Sequence, residues 1–230
     1  MLDCVRIKKI MAQSTILLAS NSPRRRELLT LTGWRFTILP VPVDETPLAG
    51  EDPAIYVIRL AESKAQAVLP MVELGMVVLA ADTIVVDAGK LLGKPCDPVE
   101  AASMLRLLRG HAHLVLTALA VFDPAENRMV TDLCTAEVLM RRYTDQEIET
   151  YVASRDPLDK AGAYAIQNAG FHPVSTFKDC YACVMGLPLC HLVRSLRKLG
   201  IIPRADVPTA CQDYLHYNCP VSRAILAGVL

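Results

Sequence analysis

The run Met76-Val77-Val78-Leu79-Ala80-Ala81-Asp82-Thr83-Ile84-Val85-Val86 constrains this chain more than any other stretch. It is apolar on both parities and rich in β-branched residues, the pattern of a central strand covered on both faces. Asp82 and Thr83 interrupt it. A carboxylate buried in such a strand is costly, by several kcal/mol, unless it is paired or holds a metal. Asp82 therefore lies at an exposed strand end or serves a function, and the functional reading is carried forward.

A second constraint lies upstream. Ile16-Leu17-Leu18-Ala19 reads as a short strand, followed by Ser20-Asn21-Ser22-Pro23-Arg24-Arg25-Arg26-Glu27-Leu28-Leu29. Ser22 can cap a helix and Pro23 suits its first position. Three arginines then fall in the first turn, where the macrodipole is already positive and each exposed cation is disfavoured by roughly 0.3–1 kcal/mol. They are either a solvated helix start paired with surface carboxylates or the receptor for a bound polyanion, since a helix N-terminus also offers free N–H groups. The chain carries 24 Lys and Arg against 24 Asp and Glu. That balance lacks the wide basic footprint of a nucleic-acid binder, so a small phosphorylated ligand is expected and a stable nucleic-acid partner is not.

With 230 residues, 52% of them hydrophobic, the chain can form one large domain or two lobes sharing a core. No apolar run reaches the roughly 18 residues of a membrane span. Residues 1–14 carry Arg6, Lys8 and Lys9 without a following apolar segment and cleavage site. They read as a loose extension, with Met11 an alternative start, and a cytoplasmic location is expected. Among eight cysteines, Cys180 and Cys183 have CxxC spacing with Cys190 and His191 downstream. Neither a zinc set nor a redox pair is complete, Cys211, His216 and Cys219 are weaker candidates still, and ordinary reduced thiols are expected.

The remaining stretches supply further polar groups. Gly33 suggests the stop of the first helix, residues 36–39 read as a strand, and residues 42–47, bracketed by prolines, read as a loop displaying Asp44 and Glu45. These carboxylates form an Asx-type turn with a solvated Glu, or ligate a hard divalent cation. An amphipathic helix is predicted from residue 52 to 69, with Lys64 on its polar flank. Gly93-Lys94-Pro95 is a turn that can aim an ammonium at phosphate oxygens. Asp97-Pro98-Val99-Glu100 reads as a capping box that starts a helix closed by Gly110, residues 114–122 and 129–141 as an antiparallel pair, and Thr144-Asp145-Gln146-Glu147 as a second capping box starting another helix. Residues 161–170 form a small-residue stretch that is either a tight packing turn or a place where backbone approaches a ligand, with Gln167 able to read a base edge. Gly186-Leu187-Pro188 introduces what reads as the last helix, residues 189–199, and residues 203–230 form a tail without an assigned role.

Together these pieces resemble the Maf family of nucleotide pyrophosphatases from about residue 16 to residue 199. The matching motifs are Leu18-Ala19-Ser20-Asn21-Ser22-Pro23-Arg24-Arg25, Val43-Asp44-Glu45, Arg59-Leu60-Ala61 with Lys64, Ala81-Asp82-Thr83, Gly93-Lys94-Pro95, Asp159-Lys160-Ala161-Gly162-Ala163-Tyr164 with Ile166-Gln167, and Gly186-Leu187-Pro188-Leu189. The resemblance implies an α/β fold of the Maf/Ham1-like kind, a long curved mixed sheet flanked by helices with two lobes around a nucleotide cleft. The expected division is an extension (1–14), the nucleotide pyrophosphatase domain (15–202) and the tail (203–230). The resemblance further implies hydrolysis of a nucleoside triphosphate to monophosphate and pyrophosphate with a divalent cation, Mg²⁺ or Mn²⁺, and a homodimer. Arg24, Thr83 and Gln167 match the subgroup acting on dTTP and UTP. Asn168 stands where a glycine is common, and Cys183 where asparagine or a small residue is.

On this reading Ser20, Ser22, Arg24 and Arg25 bind the triphosphate. Lys64 and Lys94 neutralise charge on the phosphoryl oxygens and leaving group. Glu45 and Asp82 hold the metal, Asp82 acts as general base toward water, and Thr83 and Gln167 discriminate the pyrimidine. The competing expectation is a nucleotide-binding regulator of cell division with little turnover.

Overall fold

A computed structural model of the chain describes residues 15–73 and 75–230; the expectations for residues 1–14 lie outside the described residues. Among the described residues, seven strands form one mixed sheet: β1 (Thr15–Leu18), β2 (Phe36–Ile38), β3 (Met76–Asp87), β4 (Lys90–Leu92), β5 (Ala112–Asp123), β6 (Arg128–Met140) and β7 (Val174–Thr176). Their order is β2-β1-β3-β5-β6-β7, with β4 pairing β3. β1 runs parallel to β2 and β3, while β5, β6 and β7 continue antiparallel. The fold is α/β.

The two-sided apolar character of β3 is realised as expected. Val77, Leu79, Ala81 and Val85 join one core, and Val78, Ala80, Ile84 and Val86 join the other. The second core is closed by helix α2 (Pro53–Ala67), whose Val57, Leu60, Ala61 and Ala65 face the sheet. Helices α1 (Pro23–Thr30), α3 (Pro98–Leu108), α4 (Asp145–Ala153), α5 (Tyr181–Met185) and α6 (Leu189–Lys198) contribute to the first.

Strand register creates the opening that matters for function. β1 pairs with β3 as far as Leu18 opposite Leu79, and β4 takes up the same edge only at Val85 opposite Leu92. On its other edge β3 is paired with β5 throughout this interval. Residues 80–84 of β3 therefore have one edge free of any described strand. Side chains from both faces of the sheet can reach a common space there, because successive residues of a strand point to opposite sides.

Local signals account for most helix starts. The Ser22 hydroxyl accepts from the Arg25 N–H at 3.4 Å with Pro23 next in line, and Asp52 caps α2 through the N–H groups of Ala54 and Ile55. The Thr144–Glu147 capping box forms as expected. At Asp97 the expectation needs correction. Asp97 accepts from the Glu100 N–H, but the Glu100 carboxylate takes the N–H of Cys96 at 2.7 Å. Asp97 is extended (φ −152°, ψ 172°), and the N–H within Glu100's reach is the preceding one. α1 ends at Thr30 with Leu31 as its cap, short of Gly33, and α2 ends at Ala67 before a 3₁₀ turn.

The tail is the larger correction. α6 is followed by α7 (Val207–Leu215) and α8 (Ser222–Leu226), and Val207 and Ile225 are buried. Arg194 ties this segment down by donating to the carbonyls of Ile225 and Leu230 while its guanidinium pairs with Asp132 on β6 at 2.7 Å. Trp34 Nε1 donates to the Ile202 carbonyl, and the Tyr214 hydroxyl reaches Glu27 on α1. Pro203, Pro208 and Pro220 punctuate this segment, which hides the helical period. The described cysteines are all free, with Cys134, Cys180, Cys183 and Cys190 buried.

Candidate active site

A cleft of about 800 Å³ opens at the unpaired stretch of β3. Ser20, Ser22, Arg24, Arg25, Glu45, Lys64, Asp82, Thr83, Lys94 and Gln167 all line it. Residues spread from 20 to 167 are thus brought together, chiefly by the β1–α1 turn, the loop before α2, the middle of β3 and the turn after β4.

Asp82 projects toward α2, on the side of Val78, Ala80 and Ile84, and meets Lys64 from that helix's polar flank. The same ammonium lies 2.6 Å from Glu45. The Asp82 side chain is only 11% exposed and that of Lys64 14%, so this pairing relieves the burial cost that singled Asp82 out. Lys64 thus bonds both carboxylates and lines the cleft within which the expectation has it meet phosphoryl oxygens.

Glu45 is positioned by its loop rather than by a strand or helix. Tyr56 of α2 donates its hydroxyl to the Glu45 carbonyl at 2.6 Å. Arg59 clamps the same loop through two bonds to Glu51, at 2.6 and 2.7 Å, and one to the Thr46 carbonyl. Asp44 closes an Asx turn on the Thr46 N–H, leaving Glu45 to face the cleft. Burial raises the Glu45 carboxyl, but the Lys64 hydrogen bond and charge, with Lys94 and Arg25, outweigh it and hold it below its ordinary value.

Arg25 is a half-buried cation bonded only to neutral oxygens. Nε donates to the Gly186 carbonyl at 2.8 Å, Nη1 to Ser20 Oγ at 3.1 Å and Nη2 to Thr83 Oγ1 at 3.2 Å. Burial lowers its basicity, with Asp82 opposing. Arg24 instead pairs with Asp159 at 3.4 Å, whereas Arg26 does not line the cleft. Lys94 and Gln167 stand exposed at its rim. Beside Gln167, Asn168 bonds the Asp156 carboxylate and the Phe171 N–H, so the residue replacing a common glycine anchors the loop.

Three residues in or behind the lining carried no role from the sequence. Lys160 is buried, its ammonium held by Asp156 and by Asp159 at 2.6 Å. Gly186 adopts φ 104°, and a Cβ there would stand 3.2 Å from Thr83 Oγ1. Both residues lie in recognised motifs, the one available signal. Thr117, buried behind Thr83, had none.

The carboxylates of Glu45 and Asp82 both meet the Lys64 ammonium and so face one another across the cleft wall. Two carboxylates, with phosphates and water completing the shell, are how Mg²⁺ is usually held, so the donor set fits such an ion. No group of three or more His, Cys, Asp or Glu arranged to hold a metal occurs among the described residues.

A sheet gap flanked by an arginine-bearing helix start and an Asp–Lys–Glu cluster, with Asp82 and Lys64 enclosed and Glu45 open to solvent, defines a nucleotide-pyrophosphatase-like cleft, and comparison with known proteins agrees. The family profile described as "Maf-like protein" matches residues 15–199, and the chain belongs to the Maf family. A Geobacter sp. (strain M21) protein named dTTP/UTP pyrophosphatase is 44% identical over 192 residues, covering 84% of this chain and 99% of that protein. One of the same name from Pelotomaculum thermopropionicum is 45% identical over 185 residues, covering 80% and 96%. The solved structure of the Staphylococcus aureus Ham1 protein aligns over 88% of this chain and 98% of its own, with TM-score 0.41 and 14% identity, a likeness too loose to bear on function.

Proposed function

We propose that this protein hydrolyses dTTP and UTP, or modified pyrimidine nucleotides, to the monophosphate and pyrophosphate. The observation carrying the reading is the placement of Asp82, paired with Lys64 and open to the cleft, opposite the α1 start with Arg24 and Arg25. Relatives over 40% identical bear the name dTTP/UTP pyrophosphatase, which supports the substrate class. A binding role without turnover has no such support, since binding alone does not need a water-facing carboxylate.

The α1 N–H groups, Ser20, Ser22, Arg24 and Arg25 take the triphosphate by charge-assisted hydrogen bonds. Asp82 accepts a proton from the attacking water, whose oxygen bonds to the α-phosphorus as the bond to the departing pyrophosphate breaks. Lys64 orients the Asp82 carboxylate, and Lys94 reaches the phosphate oxygens from the rim. Glu45 and Asp82 would hold a divalent cation such as Mg²⁺ or Mn²⁺, which when bound supplies charge neutralisation to the phosphates. Thr83 and Gln167 face the base.

Residues 15–202 carry this chemistry, with residues 203–230 as support against α1 and α6. The cytoplasmic location expected from the sequence belongs to the same reading, as does the homodimer that the family resemblance implies, and sedimentation of the purified chain tests the latter. The deciding experiment is pyrophosphate release over a panel of nucleoside triphosphates with and without Mg²⁺. Turnover preferring UTP and dTTP supports the reading; no turnover, or preference for a guanine nucleotide, overturns it.

A further inference from the structure

We infer that Thr117, a buried residue of β5 outside the cleft lining, is a specificity-positioning residue: it fixes the direction of the Thr83 hydroxyl so that the site offers the base a lone pair and no hydrogen. The inference rests on the reading that Thr83 faces the base.

The assignment follows from counting hydrogens. Thr83 and Thr117 are direct partners in the β3–β5 register, and their hydroxyl oxygens are 2.9 Å apart. Distance alone leaves the donor open. Thr117 Oγ1 is also 2.8 Å from the main-chain carbonyl of Cys183. A carbonyl only accepts, and a threonine hydroxyl has a single hydrogen, so Thr117 spends its hydrogen on Cys183. In the contact with Thr83 it must accept, and the Thr83 hydrogen is spent in turn.

Two further bonds hold this arrangement. Arg25 Nη2 donates to Thr83 Oγ1 at 3.2 Å, which a hydrogen pointing that way would oppose. The Cys183 carbonyl also accepts the Gly186 N–H at 2.9 Å, anchoring the end of the chain to the turn whose own carbonyl receives Arg25. Thr117 is fully buried, and water cannot substitute for it without opening the core. Thr83 is left with one lone pair directed at the cleft.

That polarity selects among pyrimidines. The ring carbonyls of uracil and thymine accept, and only N3–H donates, so an acceptor-only Thr83 is matched by N3–H. Cytosine presents a bare N3 at that place, which would set two lone pairs against each other, and its N4 amine, the donor on that edge, sits one ring position away.

The test is the ratio of kcat/KM for UTP to that for CTP in the full-length protein and its variants, with thermal melting to confirm folding. Thr117→Val keeps the shape but frees the Thr83 hydroxyl to turn, and is expected to lower the ratio roughly 10- to 100-fold, through KM more than kcat. Thr117→Ser retains the hydroxyl and should keep the ratio; Thr117→Ala serves in place of valine should the latter not fold. A folded valine or alanine variant with an unchanged ratio overturns the inference, and loss of both substrates in parallel does the same by reducing Thr117 to packing. Thr83→Val separates the underlying reading: if it leaves the ratio unchanged, Thr83 does not face the base, whereas a ratio altered by Thr83→Val but not by Thr117→Val rejects the positioning role alone.

Discussion

Glu45 holds its carboxylate 2.6 Å from the Lys64 ammonium, although it comes from a loop and Lys64 from a helix. Because that loop is tied to α2 by Tyr56 and Arg59, the two charges move as one unit. Glu45→Gln keeps the side chain's size and removes its charge. It should raise the Mg²⁺ concentration for half-maximal activity by at least about tenfold, the lower end of what weaker second-shell changes cost metal sites. Titration of the purified variant with Mg²⁺ checks this, and an unshifted midpoint would remove Glu45 from the metal-holding set.

Asp82→Asn preserves the volume and cannot take a proton from water. Loss of a general base typically lowers turnover by roughly 10²–10⁴-fold. Nucleotide binding should survive, since Arg24, Arg25 and the helix start are untouched. Pyrophosphate release measured beside equilibrium binding separates the two effects; near-normal release would end the assignment of Asp82 as base.

Acid stability should report on the loop clamp. The Arg59 hydrogen bond, opposed by burial and aided by the Leu48 N–H, holds the Glu51 carboxyl down at about 2. Its pKa is thus lower folded than unfolded, so its stabilising contribution is full above the ordinary glutamate value. The contribution is lost as pH falls from there toward about 2. The difference in melting temperature between wild type and Glu51→Gln should be present at neutral pH and close across that window. A difference independent of pH would assign Glu51 a role in packing only.

Gly186→Ala places a Cβ at φ 104°, with Thr83 Oγ1 3.2 Å away and Arg25 Nε 3.4 Å away. Backbone strain of this kind costs roughly 1–3 kcal/mol. The variant should melt several degrees lower and show a raised KM for UTP, because the carbonyl that receives Arg25 shifts with it. Thermal melting and steady-state kinetics on one preparation test both halves.

The sequence was most legible where one residue type has one physical use. The two-sided run at β3, the Ser22-Pro23 helix start and the Thr144–Glu147 box each follow from local chemistry and stand as expected. The ten candidate residues fall in one cleft, yet their pairings were not legible. Nothing local says that Lys64 turns to Asp82 and Glu45 or that Arg24 meets Asp159, because these depend on where β1 stops pairing with β3. The helices of residues 207–226 were missed for a related reason. Their buried apolar side chains, Val207 and Ile225 above all, acquire meaning only from the packing of these helices on α6.

Arg25 is surrounded by oxygens from Gly186, Ser20 and Thr83 that are all neutral. Its positive charge is partly withdrawn from water without a bonded anion among the described residues, and the fold bears that cost whenever the cleft is empty. Filling the cleft with a polyanion returns it, and by mass action a ligand at 100 times its Kd adds about 2.7 kcal/mol to the stability of the whole chain. The protein is in this sense its own calorimeter: the rise in its melting temperature ranks nucleotides, and pyrophosphate itself, by affinity before any bond is broken.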